Sequence, residues 1–209
     1  MTQPFGGGAP DPTAWTASNA GPPVAEERST QAADLTRVDA ITGRTVAGTI
    51  KQARVDADIV RERFSDGCIP VRPEIIAANA KLDVLVADIP DENFAGYYQD
   101  GKIYLNSLAT RPRLRMTLAH EIGHWWDSAV MGRRPAVSTG SDPSRHRYVR
   151  RSSTDIEDAY ADEFALSLLM PEDLVRLAYE ERLPARVIGE LFDVSTESAR
   201  NRIIGLDLI

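Results

Sequence analysis

Two histidines and a glutamate stand at a spacing that can hold a metal ion. The sequence HEIGH at 120–124 places His120 and His124 at positions i and i+4, with Glu121 beside the first. On a helix these two positions lie one above the other, so both imidazoles can reach one cation. The flanking residues are apolar, which predicts a helix packed against a core.

Hydrolysis catalysed by a bound zinc ion is the chemistry that this pattern favours. Neutral imidazoles bind zinc without cancelling its charge, and an open coordination position can keep a water for attack. Glu121 is expected to act as the general base, because it projects beside the pair without ligating the metal. The alternative is a surface helix that carries the five-residue pattern by chance. Two of the chain's three histidines lie in this one turn, which favours the metal site.

A third ligand is expected from the acidic helix predicted from about Thr154 to Met170. Asp158 and Asp162 are also at positions i and i+4, so they share one helix face. If Asp158 ligates the metal, Asp162 can accept the second ring N–H of a ligating histidine. Glu157, whose side chain is longer, is the alternative ligand. Taken alone, these acids would indicate a solvated helix face near a helix N-terminus.

The remaining elements must position these residues, and their pattern predicts an α+β fold. Helices are expected over about 45–64 and 73–80 and in the C-terminal stretch, with Ser195 capping the last of them. A strand is predicted within 81–89, followed by a hairpin around Asp100-Gly101. We expect a small antiparallel sheet packed on the two site helices. If Lys102 to Asn106 is an edge strand, an extended peptide could pair with it; the alternative is a core strand.

The chain divides by composition into four parts. Residues 1–32 are rich in Gly, Pro, Ala, Ser and Thr and are predicted to be a disordered tail. Residues 33–68 are predicted as an N-terminal helical segment, 69–181 as the metal-binding domain and 182–209 as a small C-terminal helical tail. The stretch from Gly132 to Arg151 is polar and basic, and its His146 is expected to be solvated rather than a ligand.

Charge and composition narrow the classes of partner. The net charge of −7 argues against broad attraction to nucleic acid, so no direct nucleic-acid partner is expected. No apolar run is long enough to span a bilayer and the N-terminus lacks a secretory signal, so the cytoplasm is the expected compartment. Cys68 is the only cysteine, which excludes an internal disulfide. No cofactor other than the metal is indicated, and nothing indicates an oligomeric state.

Three segments together resemble the ImmA/IrrE family of metallopeptidases. These are RLRMTLAHEIGHWWD at 113–127, DAYADEFALSLLMP at 158–171 and the preceding GKIYLN at 101–106. The resemblance covers about residues 70–205 and implies a cytoplasmic minimal zincin with one zinc ion. Carried over by position, the ligands are His120, His124 and Asp158, and Glu121 is the base. Family members usually have Glu at the third position, so the shorter Asp158 is a departure that keeps Glu157 open as a ligand.

The resemblance also implies a class of substrate. Known members cleave helix-turn-helix repressors and thereby switch on mobile-element or stress-response genes. The leading hypothesis is therefore an endopeptidase acting on a DNA-binding regulatory protein. One alternative is a non-catalytic module of the same fold that acts by binding a partner protein. A second is a DNA-binding regulator that uses the C-terminal helices, which the acidic balance disfavours.

Overall fold

The structure is a computed structural model, and it describes Thr36, Val38 and residues 43–90, 94–99, 101–133 and 156–209. The tail predicted at 1–32 lies outside the described residues, as do His146 and most of the polar stretch around it. The described residues all belong to one compact unit.

The described chain forms seven α-helices and three strands, with the three strands consecutive between α2 and α3, which confirms the predicted α+β class. Their order is α1 (Val46–Phe64), α2 (Pro73–Asn79), β1 (Asp83–Ala87), β2 (Gly96–Gln99), β3 (Lys102–Asn106), α3 (Arg111–Trp125), α4 (Ile156–Leu169), α5 (Glu172–Glu180), α6 (Ala185–Phe192) and α7 (Thr196–Gly205). A five-residue π-helix, Trp126–Val130, continues α3 without a break.

Local sequence explains where several elements begin. Thr45 Oγ1 accepts a hydrogen bond from the Gly48 amide at the start of α1, and Ser195 Oγ accepts one from the Ser198 amide at the start of α7. Both bonds satisfy amides that have no partner within the first helical turn. The predicted cap at Ser195 is confirmed.

The sheet is mixed, whereas a wholly antiparallel sheet was expected. Its strand order is β1-β3-β2, with β1 parallel to β3 and β2 antiparallel to β3. The hairpin itself is confirmed: Tyr98 pairs with Ile103, and Gly101 adopts a φ of +80° in the turn. After β1 the chain passes over the central position of the sheet to form β2 at the far side. β3 then returns from the hairpin into the central position and runs parallel to β1.

The position of β3 decides between the two alternatives left open for this strand. Both of its neighbours, β1 and β2, pair with it along its length. A central strand has its main-chain groups occupied on both sides, so it cannot accept an added peptide strand. Lys102 to Asn106 is therefore a core strand, and within the part of the chain that the structure describes β1 and β2 are the outer strands of the sheet.

One hydrophobic core joins the sheet and the helices. α3 packs on β2, β3 and α4, while α1 packs on α4. Side chains from α6 and α7, including Ile188, Phe192 and Ile203, belong to the same buried cluster as Ile122 and Phe164 of the central helices. Among the described residues, no helix is long and apolar enough to cross a membrane.

Candidate metal centre

The two histidines of α3 turn the same ring nitrogen toward one point. His120 Nε2 and His124 Nε2 lie 3.0 Å apart, and the ring centroids are 4.6 Å apart. Two nitrogens bound to one tetrahedral zinc at about 2.0–2.1 Å would stand roughly 3.3 Å apart. The observed distance between the two nitrogens is therefore close to the distance expected when both bind one cation.

α4 brings a carboxylate to the same point. Asp158 Oδ1 lies 3.6 Å from His124 Nε2. One donor atom each from His120, His124 and Asp158 lie within 4.8 Å of one another, and no other group of three or more His, Cys, Asp or Glu side chains among the described residues meets that criterion. Glu157, the alternative ligand from the sequence, is not a member of this group.

Asp162 supports the site from behind His120. Its Oδ1 atom lies 2.9 Å from His120 Nδ1, the ring nitrogen that faces away from His124. A carboxylate at that distance holds the proton on Nδ1 and leaves the lone pair of Nε2 for a metal. This is the contact expected from the i, i+4 spacing of Asp158 and Asp162.

The electrostatics of the site favour positive charge. Burial lowers the pKa of His120, but the hydrogen bond that His120 donates to Asp162 and the charges of Glu121, Asp162 and Asp158 outweigh it and raise the pKa to about 9. A group that gains a proton so readily sits in a negative potential. The donor set of two imidazoles and surrounding carboxylates therefore fits a divalent cation.

A glycine sets the distance between the two helices that carry the donors. A Cβ atom added at Gly123 would lie 3.0 Å from Phe164 Cδ1 and 3.3 Å from the Ala161 Cα atom. Any larger residue would push α3 and α4 apart. Gly123 thus marks a close approach of the two helices that carry the donors.

Glu121 lies on α3 next to His120 and is only 6% exposed. A carboxylate is costly to bury unless its charge is balanced or used. Positive charge at the neighbouring imidazole pair, which the site favours, offsets the negative charge of Glu121. Because it is one residue along the helix from His120, its side chain flanks the pair instead of joining it.

Sequence reasoning missed the polar contacts behind the site. Ser128 Oγ donates to the His124 carbonyl oxygen at 2.6 Å, inside the π-helix that extends α3. Asp127 and Asp56, both 1% exposed, are joined by Arg133 in a charged cluster. A π-helix directly after a site residue is a recurrent functional feature, but no periodicity signals it. The cluster joins residues far apart in sequence, so spacing could not reveal it.

A histidine pair with an intervening glutamate on one helix, and an acid from the next, define the class of metal-dependent peptidases with an HExxH helix. Residues 77–203 match the family Peptidase_M78, described as the IrrE N-terminal-like domain. This match covers more than half of the chain, so the protein belongs to that family of metallopeptidases. The resemblance inferred from the sequence is confirmed.

Solved structures show the same fold in a distant protein. A Mycobacterium tuberculosis transcriptional regulator aligns with a TM-score of 0.50 and 14% sequence identity. The alignment covers 74% of this chain and 46% of that chain, so the present chain spans less than half of the regulator's length. Comparison with curated proteins gives no match.

Proposed function

We propose that this protein is a zinc-dependent endopeptidase in which His120, His124 and Asp158 hold the metal and Glu121 is the general base. One observation carries the proposal: donor atoms from two helices converge at one point, next to a buried glutamate. Membership of a metallopeptidase family supports it. The preference for zinc rests on the borderline-soft imidazole pair.

The metal would lower the pKa of a bound water and polarise the scissile carbonyl. Glu121 would take the proton of the attacking water and deliver it to the departing amine. Burial of Glu121 keeps competing water away from this transfer and strengthens its electrostatics. Asp162 would keep the proton of His120 on Nδ1 throughout the cycle.

A regulatory protein is the proposed substrate, and a helix-turn-helix repressor is the leading candidate. This assignment rests on the resemblance to the ImmA/IrrE family, and such a substrate would place the reaction in the cytoplasm. The edge strand β2 lies against α3, since a Cβ atom at Gly96 would be 2.8 Å from Thr117 Cγ2. An extended substrate segment that lies along β2 would therefore run beside the metal helix.

The proposal is tested by measuring metal and activity in one set of variants. Elemental analysis should find about one zinc per chain in wild type and in Glu121→Gln, and little in His120→Ala. Cleavage is read by mass spectrometry on a peptide library incubated with the zinc-loaded proteins. Wild type should cut peptides that Glu121→Gln leaves intact, because only the base is lost.

Two results would contradict the proposal in different ways. A wild-type protein that binds no zinc under saturating conditions would remove the metal site. A zinc-loaded wild type whose peptide products equal those of Glu121→Gln would leave the metal but exclude this catalysis. The second result would favour a non-catalytic module that acts by binding a partner protein.

A further inference from the structure

A buried cluster of charges lies behind the candidate metal site. Asp56 of α1 and Asp127 of the π-helix are each 1% exposed. Arg133 bridges them: its Nη2 atom contacts Asp56 Oδ2 and its Nε atom lies 3.2 Å from Asp127 Oδ1. Arg44 adds a contact of 3.0 Å to Asp127 Oδ2. Two buried acids are thus balanced by two partly buried guanidinium groups.

Tyr160 connects this cluster to α4. Its ring is fully buried, and its hydroxyl donates to Asp56 Oδ2 at 2.7 Å. The guanidinium carbons of Arg44 and Arg133 lie 5.4 Å and 5.6 Å from its ring centroid. Burial raises the pKa of the Tyr160 phenol far above its usual value, and the hydrogen bond to Asp56 adds to that rise.

Helix geometry places Tyr160 opposite the site residues of α4. Tyr160 is two residues from Asp158 and two from Asp162, which is about 200° around the helix in each direction. One side of α4 thus presents the two aspartates to α3, and the other side is held to α1 through Asp56. A change in the rotation of α4 about its axis would move both aspartates together.

The same cluster also holds the end of the metal helix. Asp127 follows His124 by three residues within the continuous α3 and π-helix segment. Because Arg133 contacts both Asp127 and Asp56, the back of α4 and the extension of α3 are fixed to one charged centre. The distance between the His pair and the Asp pair is therefore constrained from behind as well as by Gly123.

We propose that Tyr160 and Asp56 are positioning residues of the metal site, which fix the rotation of α4 and thereby the reach of Asp158 and Asp162. The inference rests on the proposed metal site. Asp has a short side chain, so a misplaced helix cannot be corrected by a longer arm. The donor atoms of a metal site must be placed to within about 0.5 Å for the metal to bind tightly.

The decisive experiment compares Tyr160→Phe with wild type and with Tyr179→Phe. Tyr160→Phe removes one hydroxyl and keeps the buried ring. Tyr179 is a half-buried tyrosine of α5 and serves as the matched control. Zinc affinity is measured by competition with a chromophoric chelator, and the ligand field by the absorption spectrum of the cobalt(II)-substituted protein. Circular dichroism verifies that each variant is folded at the temperature used.

Tyr160→Phe should weaken zinc binding by about two- to thirtyfold and shift the cobalt(II) spectrum, while Tyr179→Phe leaves both unchanged. Arg133→Gln removes the charge of the most exposed residue of the cluster, and it should also weaken zinc binding and shift the cobalt(II) spectrum. This second variant keeps the test possible if Tyr160→Phe does not fold. A purely structural role would lower the unfolding midpoint without moving affinity or spectrum, and that result would overturn the inference. A wild type that binds no metal would instead overturn the proposed metal site itself.

Discussion

At the scale of single residues, two aspartates on one face of α4 have different roles in the proposed site. Asp158 approaches His124 Nε2, whereas Asp162 contacts His120 Nδ1. The two residues have the same side chain, so only their height along the helix separates a proposed ligand from its support. This division can be tested one residue at a time.

The identity of the third ligand is tested with Asp158→Ala and Glu157→Ala. Asp158→Ala should lower zinc affinity by more than the roughly 10- to 100-fold that loss of a supporting partner costs. Glu157→Ala should keep about one zinc per chain, because its carboxylate is outside the converging group of donors. Calorimetric titration with zinc separates the two. Equal losses in both variants would show that the acids act only through their charge.

The supporting role of Asp162 is tested with Asp162→Asn. The amide retains the size of the side chain but accepts the imidazole proton less strongly, so zinc affinity should fall by about 10- to 100-fold. The pKa of His120 in the metal-free protein should fall as well, since Asp162 is a principal cause of its rise. NMR titration of the ring protons measures this shift. An unchanged pKa would contradict the assigned contact.

At the scale of elements, the site depends on how closely α3 and α4 approach. Gly123 faces Phe164 and Ala161 at the crossing, where an added Cβ atom would lie 3.0 Å from the Phe164 ring. The small residues Gly123 and Ala161 at the crossing let the short side chain of Asp158 approach His124. The spacing of the two helices therefore suits the proposed ligand.

Gly123→Ala tests this spacing. Alanine gains about 1 kcal/mol of helix propensity over glycine, but overpacking a close crossing costs about 1–3 kcal/mol. We expect a net loss of stability by urea unfolding together with weaker zinc binding. Gly205→Ala is the control, since a Cβ atom there meets only Arg54 Nη2 at 3.9 Å. A Gly123→Ala protein that is more stable and binds zinc normally would show that the helices can separate without harm.

At the scale of the whole molecule, buried arginines connect the C-terminal helices to both site helices. Arg115 of α3 donates to the Val71 carbonyl at 2.6 Å and to the Asp193 carbonyl at 3.0 Å. Arg202 of α7 donates to Glu163 of α4 at 2.9 Å. Burial lowers the pKa of both guanidinium groups, and a neighbouring carboxylate opposes that effect in each case. α6 and α7 thus help to hold the site.

Arg115→Ala is expected to destabilise the molecule as one unit. The change leaves buried carbonyl acceptors without donors, at a cost of roughly 1–3 kcal/mol for each. Urea unfolding should show a single shifted transition, by both tryptophan fluorescence and circular dichroism. Two separate transitions would instead indicate that the C-terminal helices form an independent tail.

The sequence determined the features that depend on local spacing. The i, i+4 pairs on α3 and α4, the cap at Ser195 and the hairpin turn at Gly101 each follow from helix periodicity or from backbone preferences. The HEIGH pattern also indicated the family, because the chemistry requires those residue types at that distance. These features need only a few consecutive residues, so they can be predicted without the fold.

Tertiary structure decided what depends on the relative placement of elements. The sheet proved mixed, with β3 at its centre, because a connection that skips a strand position leaves no local signal. Which of Asp158 and Glu157 lies near the two histidines depends on the orientation of α4 against α3, and it is Asp158 that groups with them. The contact between Asp56 and Tyr160 joins residues 104 positions apart. Such contacts form only when the whole core closes, so a reading of local spacing cannot specify them.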